Sequence, residues 1–509
     1  MTFSTPNPEV VDPTAEGASA SDPTDAQQRL AVARTRAASM FHALSEEIHD
    51  LGRRFDAAGH ELALVGGPVR DAVLGRSSAD LDFTTSARPE QTEEILRTWT
   101  KDGAIWDMGR EFGTLGGVRN GVKVEITTYR TESYDPSSRK PRVVYGDTLH
   151  GDLSRRDFTV NAMAVRLPSL ELVDPFNGLE DLATQVLRTP VAPEQSFDDD
   201  PLRMMRAVRF VSQLGFDLED KTAAAVEALA ERITIVSAER VREELTRLIL
   251  GAHPRRALEL MTDLGLAEHV LPELPALKLT IDEHHRHKDV FEHSLTVMEQ
   301  AIDLESPAGS GGPCEAPDLV LRLAALLHDI GKPATRRFEP GGVVTFRFHE
   351  TVGAKMTVKR MKALTFDKDT TKKVARLVEL HMRFHGYAEA PWSDAGVRRY
   401  VADAGDLLEH LHRLSRADVT TGNRRKARRL ATAYDELERR IAQLAEQEEI
   451  GKIRPDLDGN QIMEILGLAP GREVGMAYKH LLELRMERGP LGPERAEEEL
   501  RAWWAEQQG

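Results

Sequence analysis

Asp80 and Asp82 stand one residue apart in the apolar stretch Leu64–Thr85, LVGGPVRDAVLGRSSADLDFTT. In an extended strand, residues i and i+2 project from one face, so this spacing predicts two converging carboxylates. Like charges that close repel unless a cation sits between them, and hard oxygen ligands favour Mg²⁺. In VKVEIT farther on, alternation puts Val122, Val124 and Ile126 on one face and Lys123, Glu125 and Thr127 on the other, which makes Glu125 a candidate third carboxylate. Gly66 and Gly67 follow the apolar run ELALV and let backbone approach a phosphate closely. Arg70 falls one turn into the next helix, whose N-terminus also favours anions. Each feature alone is commonplace, a tight turn or a pair of surface acids. Combined at this spacing they read as a triphosphate cradle beside a metal site.

A second cluster, Asp152 to Asp157 (DLSRRD), crowds acids and bases ahead of the strand-like FTVNAMAV. Arg155 and Arg156 suit a triphosphate or ribose, with Asp157 orienting them by bidentate pairing; a structural salt-bridge cluster is the competing reading. Asp200 and Arg203 are three apart in a helical pattern, so both can face one site. A carboxylate only accepts hydrogen bonds and a guanidinium only donates. Cytosine sets its N4 donor beside the N3 acceptor and adenine sets N6 beside N1, whereas uracil and guanine carry a carbonyl in place of the amino group. An Asp/Arg pair therefore admits C and A, and it leaves U and G with opposed acceptors at roughly 1 to 3 kcal/mol per unpaired buried group.

In order and spacing, GGPVRD, DLDFTT, DLSRRDFTVNAMA (Asp152–Ala164) and DDPLRMMRAVRF (Asp199–Phe210) resemble the class II tRNA nucleotidyltransferases and their relatives, the bacterial poly(A) polymerases. The resemblance implies an α+β fold: a nucleotidyltransferase-type palm, a small mixed sheet with helices, followed by a mostly helical neck, body and tail. It implies that Asp80 and Asp82 hold two Mg²⁺ ions, one lowering the pKa of a primer 3′-hydroxyl and one neutralising the triphosphate and leaving pyrophosphate. It puts Arg156, Asp157 and Asn161 in the nucleotide site and carries base selection onto Asp200 and Arg203, with Arg206 nearby. The family often has Glu-Asp where this chain has Asp199-Asp200, which leaves the accepting Asp in place. The implied activity is template-independent addition of CCA to the 3′ end of tRNA from CTP and ATP. Poly(A) polymerases share these motifs, although the residues after Asn161-Ala162 resemble the CCA-adding members; some bacteria also divide C and A addition between two enzymes.

HHRHKDVFEHSLTVMEQ holds His284, His285, His287 and His293, LRLAALLHDIGKP ends an apolar helix on His328 and Asp329, and Asp418 follows in LHRLSRADVTTGN. This order resembles the HD superfamily of metal-dependent phosphohydrolases, whose ligands run His, His-Asp, then a distant Asp. The matching positions are His293, His328, Asp329 and Asp418, and His349 and His381 stand where binuclear members add histidines. Imidazole with carboxylate suits a transition-metal ion or Mg²⁺ and hydrolysis of a phosphoester. The implied activity is phosphatase or 2′,3′-cyclic phosphodiesterase action on RNA ends or nucleotides; the plainer reading is a helical scaffold whose histidines satisfy local hydrogen bonds.

To position these residues, a chain of 509 residues would use three to four units. Residues 1–30 read as a disordered tail and 31–190 as the palm, in which a helix from about Arg29, the strand ELALV and the strand-like GVKVEITTYR and FTVNAMAVRL alternate. Residues 191–275 form a helical neck with the base-recognition residues, 276–425 the HD-type helical domain and 426–509 a helical tail for RNA, with a loop at 339–342. From about 196 the pattern is helical nearly to the end. No apolar run reaches the eighteen residues of a membrane span and the start lacks a signal peptide, so a cytoplasmic protein without a membrane partner is expected. The single cysteine, Cys314, excludes an internal disulfide and fits a reducing compartment. A net charge of -16 argues against a surface that coats nucleic acid, so a polyanion must meet a local basic patch. Arg203, Arg206 and Arg209, or Arg424, Arg425, Lys426, Arg428 and Arg429, are candidates for one, against the alternative of a solvated helix face. Oligomeric state is left open.

Overall fold

Every residue of strand β1 (Leu62–Val65) is buried, as an all-apolar run covered on both faces should be. The computed structural model describes residues 23–76, 81–100, 105–107, 113–133, 142–278, 289–340, 343–387, 392–421, 423–448 and 453–508. Two units can be distinguished by their internal packing: Met1–Arg203 with Phe216–Ala225, and Met204–Gly215 with Val226–Gly509.

The first unit is built on a mixed sheet with seven strands among the described residues. Its further strands are β2 (Leu81–Thr85), β3 (Ile105–Asp107), β4 (Thr114–Arg119) and β5 (Val122–Thr128); β6 (Arg130–Ser133) and β7 (Arg142–Tyr145) pair separately as a hairpin, and β8 (Ala164–Leu167) and β9 (Leu172–Val173) return to the sheet. The order is β3-β4-β5-β2-β1-β8-β9, with β2 and β5 parallel and the other neighbours antiparallel. Alternation in β5 is as expected: Val124 and Ile126 are buried, Lys123 is exposed and Glu125 half-buried. The helix Glu46–Ala57 covers β1 and β8 with Ile48, Leu51 and Phe55.

Four local expectations change. A helix opens at Pro23, inside the stretch expected to be disordered, while residues 1–22 lie outside the described residues. The helix expected from Arg29 is two, Pro23–His42 and Glu46–Ala57, because Ser45 followed by Glu46 and Glu47 is a fresh start signal for a helix. FTVNAMAV is not a strand from its first residue: Thr159–Asn161 makes a 3₁₀ turn before β8 begins at Ala164. Local side-chain bonds compete with the extended backbone there, Asp157 Oδ1 accepting from Phe158 N at 2.8 Å and Thr159 Oγ1 donating to Asp181 at 2.5 Å. After residue 196 the helices are interrupted by short strands, Asp217–Leu218 paired with Val186–Leu187, and Arg337–Glu339 paired with Val343–Thr345 on either side of the expected loop, of which residues 341–342 lie outside the described residues.

Among the described residues the second unit is mainly helical. Its central helix, Leu319–Leu327, is apolar almost all round and packs against Val290–Asp303, Lys368–Leu380 and Leu408–Ala417, which is why it is buried on nearly every side. Toward the C-terminus, Gly459–Leu466, Arg472–Arg488 and Pro493–Gln508 share a core of Ile462, Ala477, Leu481, Leu484, Ala496 and Leu500. No helix among the described residues is long and apolar enough to cross a membrane.

Candidate functional site

The register of β1 with β2 pairs Leu64 with Phe83. The next residues along this register are Val65, just before the Gly66–Gly67 turn, and Asp82, so Asp82 lies at the same end of the sheet as the turn. In the parallel pair β2–β5, Asp82 is opposite Glu125, which brings the two acids to one face of adjacent strands. Asp82 is exposed, and Glu125 is half-buried with Lys123 Nζ at 3.2 Å. Asp80 lies outside the described residues. Acceptor-only carboxylates at a solvent-facing strand start fit the oxygen coordination of Mg²⁺.

Gly66 holds φ 74° and ψ −133°, a backbone closed to residues with a side chain, and a Cβ there would come 3.0 Å from Arg156 Nη1. Its turn opens the helix Gly67–Leu74, on which Arg70 donates to Asn161 Oδ1 at 2.9 Å and pairs with Asp71 at 2.8 Å. Asn161 Nδ2 donates to Asp157 Oδ1 at 3.0 Å. Arg70, Asn161 and Asp157 are thereby one chain of contacts beside the glycine turn.

An acid to which sequence reading assigns no role, Asp152, lies against both Arg155 and Arg156, while Asp157 also accepts from Phe158 N and Asn161 Nδ2. Arg155 Nη2 lies 2.8 Å and Arg156 Nη2 3.4 Å from the Asp152 carboxylate, and Thr84 Oγ1 donates to it at 3.1 Å. Asp152 is inward-facing because its helix, Leu149–Ser154, buries Leu149 and Leu153 against Ala63, Val65 and Tyr129. The spacing was the available signal: an acid three and four residues before two arginines on a short helix faces both. Burial pushes the Asp152 carboxyl up, but the two guanidiniums outweigh burial and hold it below the ordinary aspartate range. A depressed folded-state pKa contributes stability above the unfolded value, near pH 4, and that contribution is lost as pH falls through the folded value. Asp152→Asn is therefore expected to lower stability by about 2–3 kcal/mol at pH 7, the low side of buried-pair deletions because the guanidiniums keep partial contact with water. Denaturant titrations of both proteins should show this gap narrowing as pH drops below 4.

Asp200 and Arg203 do not share a helix. Pro201 disfavours helical backbone at the residue before it, and Asp200 ends the helix Pro193–Asp199 in extended geometry, φ −142° and ψ 97°. Its Oδ1 accepts from Leu202 N at 3.2 Å, where the helix Leu202–Leu214 begins. Arg203 is buried and donates to Ser196 Oγ at 2.9 Å and to the Arg155 carbonyl at 2.5 Å. Arg203, the expected base reader, is thus tied to the backbone of Arg155, with Ser196 an unforeseen support. Arg206 belongs to the second unit, where it stands 3.5 Å from Glu244 and Arg209 Nε 2.5 Å from the same carboxylate.

In the second unit the helix Leu319–Leu327 runs into His328 and Asp329 at the centre of the packed helices, both about 1% exposed. Asp329 divides its oxygens: Oδ2 is 3.5 Å from His293 Nε2 and 3.2 Å from His328 Nε2, while Oδ1 is 3.3 Å from His349 Nε2 and 3.9 Å from His381 Nε2. Asp418 Oδ1 is 3.0 Å from His293 Nε2 and 3.6 Å from His328 Nε2. Two ligand groups result, His293, His328 and Asp418, and His349, His381 and Asp329, with Asp329 reaching both. His284, His285 and His287 lie outside the described residues.

The ring orientations explain why this cluster suits cations. His328, His349 and His381 each turn Nδ1 to a carbonyl three residues back, Ala325, Phe346 and Val378, at 2.8, 2.8 and 2.6 Å. A carbonyl only accepts, so Nδ1 carries the hydrogen and the neutral rings present Nε2 lone pairs to the centre. His349 and His381 set these lone pairs 3.2 Å apart, as do His293 and His328. Such pairs repel unless a proton or metal ion lies between them. Burial opposes charge on His328, but Asp329 and Asp418 raise it to about 9; burial and the charge of His328 lower His381 to about 3. Burial likewise opposes the Asp329 charge, and His328, His349 and Lys332 overcome it and hold the carboxyl well below the aspartate range. Lys332 Nζ lies 2.5 Å from Asp329 Oδ2, and Thr420 Oγ1 lies 3.1 Å from His293 Nδ1. Neither was foreseen, although Lys332 is one turn beyond Asp329.

Cys314, Asp318 and His410 also approach one another. Asp318 is engaged structurally, accepting from Leu321 N at 2.9 Å as a helix cap and from His410 Nε2 at 2.9 Å. Burial pushes the Cys314 thiol up to about 12, which keeps it protonated.

Comparison with known proteins gives three family matches: the poly(A) polymerase head domain over residues 62–188, the "Probable RNA and SrmB- binding site of polymerase A" over 215–277, and the HD domain over 290–447. An A-adding tRNA nucleotidyltransferase from Deinococcus radiodurans is 35% identical over 87% of this chain and 96% of its own. A CCA-adding enzyme from Lactobacillus helveticus is 44% identical, over 42% of this chain and 52% of its own length. The crystal structure of the Bacillus stearothermophilus CCA-adding enzyme in complex with CTP superposes with a TM-score of 0.65 over 91% of this chain and 99% of that one, at 23% identity, a likeness of fold. With its palm-type sheet, its Asp82, Gly66 and Asp152 constellation and its HD cluster, the chain belongs to the tRNA nucleotidyltransferase family, in the branch that joins a poly(A) polymerase head to an HD domain.

Proposed function

We propose that the protein adds CCA to the 3′ end of tRNA, using CTP and ATP and releasing pyrophosphate. The observation that carries this reading is the set of groups around one glycine turn: Asp82 and Glu125 on adjacent strands on one side, Arg70 and Arg156 on the other. Asp80 and Asp82, with Glu125, would hold two Mg²⁺ ions, which when bound neutralise the triphosphate and lower the pKa of the 3′-hydroxyl. Arg155 and Arg156, held by Asp152, grip the triphosphate, and Asp157 and Asn161 keep Arg70 aimed at the same place. The 3′-oxygen bonds to the α-phosphorus, the bond to the bridging oxygen breaks, and pyrophosphate departs while the hydroxyl proton passes to solvent. Asp200 and Arg203 read the base as acceptor and donor, supported by the attachment of Arg203 to the Arg155 carbonyl.

The deciding experiment supplies tRNA lacking its terminal nucleotides with all four nucleoside triphosphates and sequences the product. CCA ends support the reading, and a homopolymer of A overturns it. A second reading, addition of only part of the CCA end, is favoured by two relatives aligned over nearly their whole lengths, one A-adding and one CC-adding; an A-adding enzyme would extend tRNA ending in CC but not tRNA lacking both C residues, and a CC-adding enzyme would stop at CC. Arg203→Ala tests base selection. Loss of a charged donor set at the base, about 1.5–3 kcal/mol, corresponds to a fall of roughly 10- to 150-fold in kcat/KM for CTP and ATP, with UTP rejection relaxed. Unchanged use of both nucleotides with UTP still rejected would remove Arg203 from the base site.

The HD cluster supports a second activity, hydrolysis of phosphoesters at RNA ends. His293, His328 and Asp418, and His349, His381 and Asp329, would hold two divalent ions, Mg²⁺ or a transition metal, which when bound supply Lewis-acid stabilisation of the phosphate. Nδ1 bonds to backbone carbonyls lock the rings in the ligating tautomer, and Lys332 offers a cation to the ester oxygens.

A further inference from the structure

Five cations crowd the first six residues of the helix Arg424–Glu448: Arg424, Arg425, Lys426, Arg428 and Arg429. All are exposed, and among the described residues none has a carboxylate within ion-pair distance. Of the next acids along the helix, Asp435 and Glu438 both pair with Arg416, at 2.7 and 2.9 Å, and Glu436 stands seven residues beyond Arg429. In a chain of net charge -16 such an unneutralised patch is an exception. A purely structural role does not account for it, because the first turn of a helix carries the positive end of its dipole and disfavours added cations. Asn423 already caps this helix by accepting from Arg425 N and Lys426 N at 3.0 and 3.1 Å. A stretch that breaks the local rule without structural gain points to function.

The position of the patch suggests that function. Asp418 contributes to the HD cluster, and Thr420 contacts His293 Nδ1 at 3.1 Å. Arg424 follows Thr420 by four residues, at most about 14 Å of extended chain. The patch therefore begins at the rim of the HD centre, within about two phosphate spacings of a strand of RNA.

We propose that the Arg424–Arg429 patch is a docking surface for the sugar-phosphate backbone of a single-stranded RNA end, which it feeds into the HD centre. The proposal rests on the hydrolase reading of that centre. Backbone contact by cations without base readout makes the recognition insensitive to sequence and steeply dependent on salt.

The test uses the full-length protein with Mn²⁺ or Ni²⁺, and a variant in which all five residues are replaced by Glu. Acids at a helix start favour the helix, so the variant should melt no lower than the wild type; a version with Gln at all five positions guards against repulsion as the sole cause. The substrates are a short single-stranded RNA bearing a 2′,3′-cyclic phosphate and bis-p-nitrophenyl phosphate, which has no backbone to grip. The expected result is a fall of at least tenfold in kcat/KM for the RNA, with the small ester unchanged. The salt slope of RNA binding should flatten by about 3.5 units, near 0.7 for each of the five lost contacts. An active wild type whose RNA hydrolysis and salt slope survive in both variants overturns the proposal. So does a defect confined to nucleotide addition on tRNA, which would assign the patch to the palm's substrate, or tighter binding of a poly-Glu peptide than of RNA, which would assign it to a protein partner. A wild type inert toward both esters refutes the hydrolase reading, and the proposal with it.

Discussion

Asp82→Asn should reduce nucleotide addition by about a thousand-fold while leaving the melting temperature within about a degree of the wild type. The substitution keeps size and shape and removes one negative charge from an exposed strand position, a kind of change that ordinarily alters stability by less than about 0.5 kcal/mol. Catalysis is a different matter, since a carboxylate that holds a divalent ion supplies several kcal/mol to the transition state and each 1.36 kcal/mol is a factor of ten. Register makes Asp82 the sensitive position, with Val65 and the Gly66 turn on one side and Glu125 on the other. Retained binding of CTP, measured by calorimetry, would show that the arginines held by Asp152 still grip the triphosphate. A variant that extends tRNA at the wild-type rate would remove the metal assignment from this strand.

Asp329→Asn should empty the HD centre of metal and abolish phosphoester hydrolysis, by at least about a thousand-fold, with nucleotide addition unchanged. Asp329 is the residue that both histidine pairs share, one oxygen facing His293 and His328 and the other facing His349 and His381. An amide keeps one acceptor, turns the other into a donor and carries no charge, so it cannot serve two cations. Removing the charge also leaves Lys332 and His328 without their closest acid, so metal content should be measured by elemental analysis on protein whose fold has been checked by circular dichroism. His381→Ala separates the two positions, with an expected loss of one ion and retention of the other. Two ions per chain in Asp329→Asn would contradict the bridging role.

Residues that act together are easiest to recognise when neighbours in sequence are also neighbours in space. Period-2 alternation put Glu125 on the face opposite Val124 and Ile126, and the paired glycines located the turn where Gly66 now stands with positive φ. His328 and Asp329, at the end of an apolar helix, were legible for the same reason, and the order of the other HD residues followed from resemblance. For Asp200 and Arg203 only the assumed shared helix differs: a count of three was read as one helical turn, whereas Asp200 ends one helix and Arg203 lies in the next, which starts after Pro201. Asp152 was overlooked as the partner of Arg155 and Arg156 because its helix is only six residues long, too short for periodicity to announce an inward face.

Strand identity, the glycine turn and the chemical character of each acid, base and imidazole follow from residue type and local spacing, since backbone sterics and side-chain chemistry act over a few residues. Which carboxylate meets which guanidinium, and how one aspartate comes to stand between two histidine pairs spread over 88 residues of chain, from His293 to His381, depends on strand register and helix packing. Those are settled by burial of apolar surface far from the polar groups themselves, such as the Leu149 and Leu153 contacts that turn Asp152 inward and the all-round burial of Leu319–Leu327 that carries Asp329 to the centre.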